Sequence, residues 1–284
     1  MKLVISASPH IDSGATTRKI MGDVLIALLP ALIAAVIIFG WRALLVTAVC
    51  AAACVFFEWG FEKLCHKPST IDDLSAVVTG VILAYNLPVS IPLWQAVFGC
   101  LVAIVAVKQL FGGIGKNFAN PALVGRIVLF LSFSKTMTAW VFPDAVSSAT
   151  PLAQLAAGQK PELWTLLLGG AYLLLRGVIT WQTPVCFVGT VFVLSLILGQ
   201  DAVRQILSGG LLLGAFFMAT DYVTAPQTCW GRALFGIGAG LLTCLIRFYG
   251  SYAEGVSFAI LFMNILTPYL SKWTRSKPLG GVPA

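Results

Sequence analysis

Charged side chains are scarce in this sequence of 284 residues. Asp, Glu, Lys and Arg make up 10% of the chain, whereas apolar residues make up 58% and the mean hydropathy is +0.92. Soluble domains carry about 25% charged residues, so a shortfall of this size excludes a solvated globular fold. The sequence predicts an all-α integral membrane protein, with a single polytopic domain over residues 1–284.

Motifs for soluble chemistry are also missing. No Walker loop occurs, no glycine-rich dinucleotide fingerprint follows a strand, and His10 and His66 have no nucleophile at a recognisable spacing. The seven cysteines form no CxxC pair, so we assign no metal or iron–sulfur site and no catalytic residue. The 18 Lys and Arg residues are scattered singly between apolar runs, a pattern that argues against nucleic-acid binding.

Ten apolar runs remain when the sequence is divided at polar and Gly/Pro clusters. A helix needs about 20 apolar residues to cross a bilayer, and several runs are shorter, which is typical of half-helices that face a protein-lined cavity. We therefore expect about ten transmembrane helices, some of them short or broken. The runs cover residues 20–39, 43–61, 74–87, 91–110, 121–133, 164–180, 183–199, 205–220, 231–248 and 255–270.

The basic residues predict an orientation in the membrane. If both termini are cytoplasmic, thirteen Lys and Arg residues, including Lys108 and Arg126, fall on the inner side and five on the outer side. The positive-inside rule favours this arrangement. The segment 1–19 and the tail 271–284 are then cytoplasmic, and the long polar connection 134–163 lies outside.

Two polar breaks between apolar runs resemble each other. The segments 111–121 and 218–226 are rich in small and polar residues, end in Pro, and are followed by Gly-Arg and a further apolar run. Paired breaks are typical of transporters built from inverted repeats. We therefore expect two inverted five-helix repeats, over 20–133 and 164–270. Chance similarity between two Gly/Pro-rich loops is the alternative.

The first break offers a surface that can bind a ligand. Its glycines let the backbone approach a ligand closely, and the side-chain amides of Asn117 and Asn120 can donate and accept at a heteroaromatic edge. Pro121 is placed to open the next helix, whose N-terminus carries partial positive charge. A tight interhelical turn that needs Gly and Asn for positive φ explains the same residues equally well.

Acidic residues near membrane depth are candidates for an ion path, because a carboxylate there is costly. Asp23 and Glu58 are the deepest, and Asp221 follows the end of a predicted span. For Asp221, an interfacial helix cap paired with Arg232 is the alternative. Four further charged residues are expected in a solvated inner loop, namely Glu62, Lys63, Asp72 and Asp73.

Six segments, in order along nearly the whole chain, together resemble one family. The sequence is similar to the NqrB/RnfD family, whose members belong to Rnf complexes, which are ion-translocating ferredoxin:NAD oxidoreductases, and to the sodium-translocating NADH:quinone reductase. The Ser-Ser-Ala-Thr and Met-Ala-Thr-Asp segments are the most specific. The six are Ser8-Pro9-His10, 111–115 with Asn-Pro-Ala at 120–122, 147–152, 218–224, 247–256 and Phe262-Met-Asn264.

The resemblance implies a flavoprotein. The family carries FMN attached through its phosphate to the threonine of a Ser-x-Ala-Thr motif, which is Thr150 here, beside Ser147 and Ser148 on the outer loop. It also implies a noncovalent flavin, expected to be riboflavin, held near Asn117 and Asn120. Ser148 stands where the family usually has glycine.

The resemblance further implies a place in a complex of the prokaryotic cytoplasmic membrane. The chain is then a non-autonomous redox subunit of a translocase, in which electron flow is coupled to Na⁺ or H⁺ movement. Its partners are the other Rnf subunits, including a neighbouring flavin subunit and iron–sulfur subunits. The alternatives are a component of a quinone reductase of the same family, or a channel or carrier for a small polar solute.

Overall fold

The computed structural model of the chain describes residues 16–139, 164–207, 210–250 and 255–275. Within these ranges the chain forms twelve α-helical segments and no β-strand, so the predicted all-helical fold is confirmed there. The helices are α1 Thr17–Phe39, α2 Trp41–Leu64, α3 Ser75–Tyr85, α4 Leu93–Leu101, α5 Pro121–Ser132, α6 Ser134–Thr138, α7 Trp164–Leu175, α8 Gln182–Ile197, α9 Ala202–Leu207, α10 Leu211–Leu213, α11 Cys229–Tyr249 and α12 Gly255–Trp273.

Three of the described helices, α1, α2 and α11, are long and apolar enough to cross a membrane alone. Shorter apolar helices lie between them, among them α3, α5 and α8. Each predicted apolar run overlaps a helix, but the run 205–220 is not one helix. There α9 ends at Leu207 and α10 begins at Leu211, and Gly210, directly before α10, has a left-handed φ of 68° that does not continue a helix.

The backbones of α2 and α3 come into direct contact because α3 contains Gly80. A Cβ atom at Gly80 would lie 2.7 Å from the Cα of Ala51 and 2.7 Å from the carbonyl oxygen of Cys50. Only a residue without a side chain allows this approach. The short helix α3 is therefore held tightly against the long helix α2.

Each polar break follows a π-helical segment. Val102–Gln109 continues α4 and Gly214–Met218 continues α10. π-Helical turns are rare and occur frequently at functional sites. The loops that follow end at a side-chain cap, since Asn120 accepts the N–H of Ala122 at 3.0 Å and Thr228 accepts the N–H of Gly231 at 3.1 Å.

The similarity of the two breaks ends at their arginines. The buried Arg126 donates to the Asn86 side-chain oxygen at 3.0 Å and to the Ser257 hydroxyl at 2.6 Å. By contrast, Arg232 donates to the carbonyl of Pro226 at 3.1 Å, within its own break. The division into repeats over 20–133 and 164–270 stays a prediction.

Three charged residues that the sequence placed on the inner side are buried. Glu62, which was expected in a solvated loop, is 3% exposed, and Lys108 and Arg126, which were counted as inner-side charges, are 3% and 5% exposed and lie within helices. Glu62 is covered because Thr70 folds back onto it and donates through its N–H and its hydroxyl. Without the two buried cations the count of basic residues becomes eleven inside against five outside, which still favours the predicted orientation.

Candidate functional site

A cavity of about 420 Å³ lies between α1, α3, α7 and the two polar breaks. Its apolar wall includes Val78 and Ile82 from α3, Leu173 from α7, and Phe216 and Phe217 from the π-helical segment before the second break. Ligand sites typically measure about 300–1,000 Å³ and combine an apolar wall with a few convergent polar groups. The size and wall of this cavity match that description.

Both breaks supply polar side chains to the cavity. Asn117 and Asn120 come from the first break, and Thr220, Asp221 and Tyr222 come from the second. The structure therefore brings together Asn117 and Asn120 of the first break and Asp221 of the second, which the sequence indicated as two separate candidates. Residues that are distant in the chain meet at one site because the two interrupted helices end next to each other.

The two asparagines are fixed by hydrogen bonds to the backbone. Asn117 donates its side-chain amide to the carbonyl of Ala119 at 3.0 Å. Asn120 caps α5 through its side-chain oxygen and donates its amide to the carbonyl of Met218 at 3.4 Å. Asn120 thus acts in the turn and also lines the cavity, so the two interpretations of this break do not exclude each other.

Asp221 is held by its own turn rather than by Arg232. Its carboxylate accepts the hydroxyl of Thr224 at 3.1 Å and the N–H of Val223 at 3.4 Å. Burial raises the pKa of Asp221 above its ordinary value, although these two hydrogen bonds act in the opposite direction. The wall of the cavity therefore contains a carboxyl group that keeps its proton to a higher pH than an exposed aspartate does.

A second polar region of the cavity wall is formed by Lys108 and Ser75. The Lys108 ammonium lies 2.6 Å from Glu58 Oε1 and 2.6 Å from the Ser75 hydroxyl, and Glu58 is fully buried. Lys108 was not among the site residues expected from the sequence, where it counted only as an inner-side charge. The signal in the sequence was a lone lysine at the end of an apolar run, because such a charge needs a partner at membrane depth.

The two carboxylate oxygens of Glu58 have different surroundings. Oε1 accepts from Lys108, from the Gln109 amide at 2.9 Å and from the Thr70 hydroxyl at 3.0 Å. Oε2 is buried and has no hydrogen-bond partner among the described residues. A buried acceptor without a donor points to an additional bound species, such as water or an ion. Glu62, one helical turn along, adds a second buried carboxylate beside it.

Asp23 lies at the edge of the same cavity. Its carboxylate accepts the hydroxyl of Tyr172 at 3.1 Å and forms an ion pair with Arg176 at 3.2 Å. The neighbouring residues Val24 and Leu173 line the cavity. The Arg176 side chain is 46% exposed, so solvent screens this ion pair far more than the pair of Lys108 and Glu58.

The residues of the predicted covalent flavin site, Thr150, Ser147 and Ser148, lie outside the described residues. Within the described ranges no group of three or more His, Cys, Asp or Glu side chains is placed to hold a metal ion. The described part of the candidate site therefore consists of the cavity, its three carboxylates and its buried lysine.

The sequence profile of the NQR2, RnfD, RnfE family matches residues 4–280. The chain belongs to this family. Membership in the NQR2, RnfD, RnfE family confirms the resemblance that the sequence motifs indicated, and the match covers the cavity, both breaks and the segment 134–163 with Thr150.

Curated relatives match over nearly their full length, and each is the D-type subunit of its complex. The relative from the Na⁺-translocating ferredoxin:NAD⁺ oxidoreductase complex of Acetobacterium woodii is 43% identical, over 99% of this chain and 96% of the relative. The relative from the proton-translocating ferredoxin:NAD⁺ oxidoreductase complex of Clostridium ljungdahlii is 39% identical, over 97% and 96%. The relative from the ion-translocating oxidoreductase complex of Actinobacillus succinogenes is 34% identical, over 97% of each chain.

Proposed function

We propose that this chain is the RnfD-type membrane electron-transfer component of an ion-translocating ferredoxin:NAD⁺ oxidoreductase complex, and that its cavity holds a noncovalent flavin. The observation that carries the proposal is the convergence of two polar breaks on an apolar-walled cavity of about 420 Å³, in a chain that matches this family over residues 4–280. Ferredoxin oxidation and NAD⁺ reduction belong to partner subunits, including a neighbouring flavin subunit and iron–sulfur subunits.

The residues of the cavity fit the isoalloxazine ring of riboflavin. The ring is planar, with apolar faces and a hydrogen-bonding edge. Val78 and Phe217 supply apolar surface for the faces, and Asn117, Asn120 and Thr220 supply polar groups for the edge. A bound flavin supplies reversible electron transfer, while the protein orients it, excludes water and sets the local charge.

Noncovalent flavin in the purified complex tests this part of the proposal. Acid extraction of the wild-type complex should release riboflavin as well as any unbound FMN, and Asn117→Leu should reduce the amount released per complex. Ser134→Ala, on the surface outside the cavity wall, serves as the control variant. A wild-type complex from which no riboflavin can be extracted contradicts a noncovalent riboflavin in this cavity.

We further propose that FMN is attached through its phosphate to Thr150. The support is the Ser147-Ser148-Ala149-Thr150 sequence together with the family match across it. A phosphoester to the threonine hydroxyl tethers the flavin without altering its redox-active ring. Ser147 and Ser148 flank the attachment point and supply hydroxyl groups for the phosphate.

We also propose that both termini are cytoplasmic, so that the segment 134–163 lies on the outer side. The support is the excess of inner basic residues. The exposed natural thiols Cys65 and Cys229 are then on the inner side, whereas a thiol introduced by Lys135→Cys is on the outer side. A membrane-impermeant maleimide added to intact cells should label only the introduced cysteine, and labelling of Cys65 instead contradicts this orientation.

The three carboxylates around the cavity form the proposed ion path. Asp221 lies in the cavity wall, Asp23 lies at its edge, and Glu58 is connected to it through Lys108. The buried Oε2 atom of Glu58 is the position best suited to a cation, Na⁺ or H⁺. Cation uptake by vesicles that contain Glu58→Gln complex should fall relative to electron transfer, and an unchanged ratio argues against this path.

A further inference from the structure

We propose that Lys108 couples the charge of the cavity to the charge of Glu58. The Lys108 ammonium neutralises Glu58 and can also interact with a negative charge in the cavity. Negative charge that arrives in the cavity attracts the ammonium and weakens the Lys108–Glu58 ion pair. Glu58 is then neutralised by a monovalent cation. This inference rests on the proposed function, because it needs a redox group in the cavity. It assigns to one residue the connection between electron transfer and cation uptake.

The position of Lys108 between the two sites carries the inference. Lys108 lines the cavity, and among the described residues that form the cavity wall it is the only basic one. Its ammonium is 2.6 Å from Glu58 Oε1 and 2.6 Å from Ser75, which also lines the cavity. With the side chain only 3% exposed, water screens neither interaction effectively.

The buried region around Lys108 has more negative than positive charge. Glu58 and Glu62 lie one helical turn apart on α2, both buried, and both accept from Thr70. Lys108 is the only basic residue within ion-pair distance of either carboxylate in the described part of the chain. A cation bound at the unpartnered Oε2 of Glu58 can therefore replace the Lys108 ammonium when the ammonium turns toward the cavity.

The charges balance in this scheme. One electron that enters the cavity from a reduced neighbouring carrier of the complex adds one negative charge. Lys108 shifts toward that charge, and one monovalent cation, Na⁺ or H⁺, binds at Glu58. The net charge of the buried region is then unchanged. When the electron leaves for the next carrier, Lys108 returns to Glu58 and the cation is released.

The midpoint potential of the noncovalent flavin tests this role, measured by spectroelectrochemical titration of the whole purified complex. Glu58→Gln should raise the potential, since the ammonium is then unneutralised, and Lys108→Met should lower it, since the carboxylate is then unneutralised. Each shift should correspond to a change of about tenfold in the equilibrium constant for reduction of the flavin, or about 59 mV for one electron. The double variant should lie close to the wild type.

Two controls separate the charge from the packing of this region. Lys108→Arg keeps the cation and should stay close to the wild-type potential, and Ser134→Ala, outside the cavity wall, should shift it little. If the pair of Lys108 and Glu58 acted only on folding, Glu58→Gln and Lys108→Met would not shift the midpoint potential in opposite directions. Shifts in the same direction, or no shift, in variants that retain the flavin would overturn the inference.

Failure of the inference differs from failure of the proposed function. A wild-type complex without noncovalent flavin contradicts the function itself. If instead the wild type contains the flavin and the single variants lose it, the charge-neutral double variant decides. If the double variant retains the flavin, the pair has a role in charge balance. If the double variant also loses the flavin, the pair is purely structural.

Discussion

The side-chain amide of Asn120 donates a hydrogen bond at 3.4 Å to the main-chain carbonyl of Met218, 98 residues later in the chain. The oxygen of the same amide accepts the N–H of Ala122 and caps α5. One buried side chain therefore joins the start of α5 to the end of the second π-helical segment. It fixes the relative position of the two breaks that line the cavity.

Substitution of Asn120 should separate its two roles. Serine is a good N-cap but is too short to reach Met218, whereas alanine provides neither contact. Asn120→Ala should therefore be less stable than Asn120→Ser by about 1 kcal/mol, the usual contribution of a cap. Both variants should retain less noncovalent flavin through gel filtration, because the breaks are no longer tied together. Wild-type retention in both would contradict this role for Asn120.

A methyl group at Gly80 should push α3 away from α2. The added Cβ would lie 2.7 Å from backbone atoms of α2, which cannot move aside as a flexible side chain can. Gly80→Ala should lower the free energy of unfolding by about 1–3 kcal/mol, as overpacking does. Gly60→Ala is the matched control, because a Cβ there meets nothing within 4 Å. Thermal unfolding of the purified complex measures both, and equal melting temperatures would contradict the close packing of the two helices.

The carboxyl group of Asp221 should make stability depend on pH. Because burial raises the pKa of Asp221 in the folded protein, the folded state binds this proton more tightly than the unfolded state. The resulting stabilisation is present below the ordinary pKa of an aspartate and is lost as the pH rises through the raised value.

The measurement compares melting temperatures of the wild type and Asp221→Asn across a pH series. The melting temperature of the wild type should fall relative to that of Asp221→Asn as the pH rises above the ordinary range of aspartate pKa values. Asp201→Asn removes a carboxylate from an exposed position and controls for the change in total charge. A difference that is constant with pH would mean that the carboxyl group of Asp221 is not desolvated in the folded protein.

The two ion pairs beside the cavity should differ in their contribution to stability. Glu58→Gln leaves the buried Lys108 ammonium without a charged partner, which typically costs about 3–5 kcal/mol. Asp23→Asn breaks a pair whose arginine is largely in solvent, so its effect should be small. Denaturation of both variants in the same detergent measures the contrast. Similar losses of stability in the two variants would be inconsistent with their different burial.

The fold class and most helices could be predicted from the sequence because apolar runs report directly on helices in a membrane protein. The exception at 205–220 arose because Gly210, which has a left-handed φ, lies inside an apolar run, and hydropathy does not register a change in backbone conformation. The π-helical segments Val102–Gln109 and Gly214–Met218 likewise have no signature in an apolar pattern. They depend on how the helix ends pack.

The site was less predictable than the spans because its groups meet only in three dimensions. The sequence indicated the pair Asn117 and Asn120 and, separately, Asp221, and the structure places all three in one cavity wall. Nothing in the sequence pairs Lys108 with Glu58, since the two lie 50 residues apart. A count of charges assigns each lysine to one side of the membrane, whereas tertiary packing decides which of them is buried.

The proposed redox role depends above all on the covalent attachment of flavin to Thr150. The measurement is in-gel flavin fluorescence and intact mass of the denatured protein, taken from complexes matured in a host with the flavin-attaching enzyme, for the wild type and Thr150→Ala. We predict a fluorescent wild-type protein with the mass of one attached FMN, and neither signal in Thr150→Ala. A wild-type protein with the unmodified mass, or an adduct that persists in Thr150→Ala, would contradict the proposal.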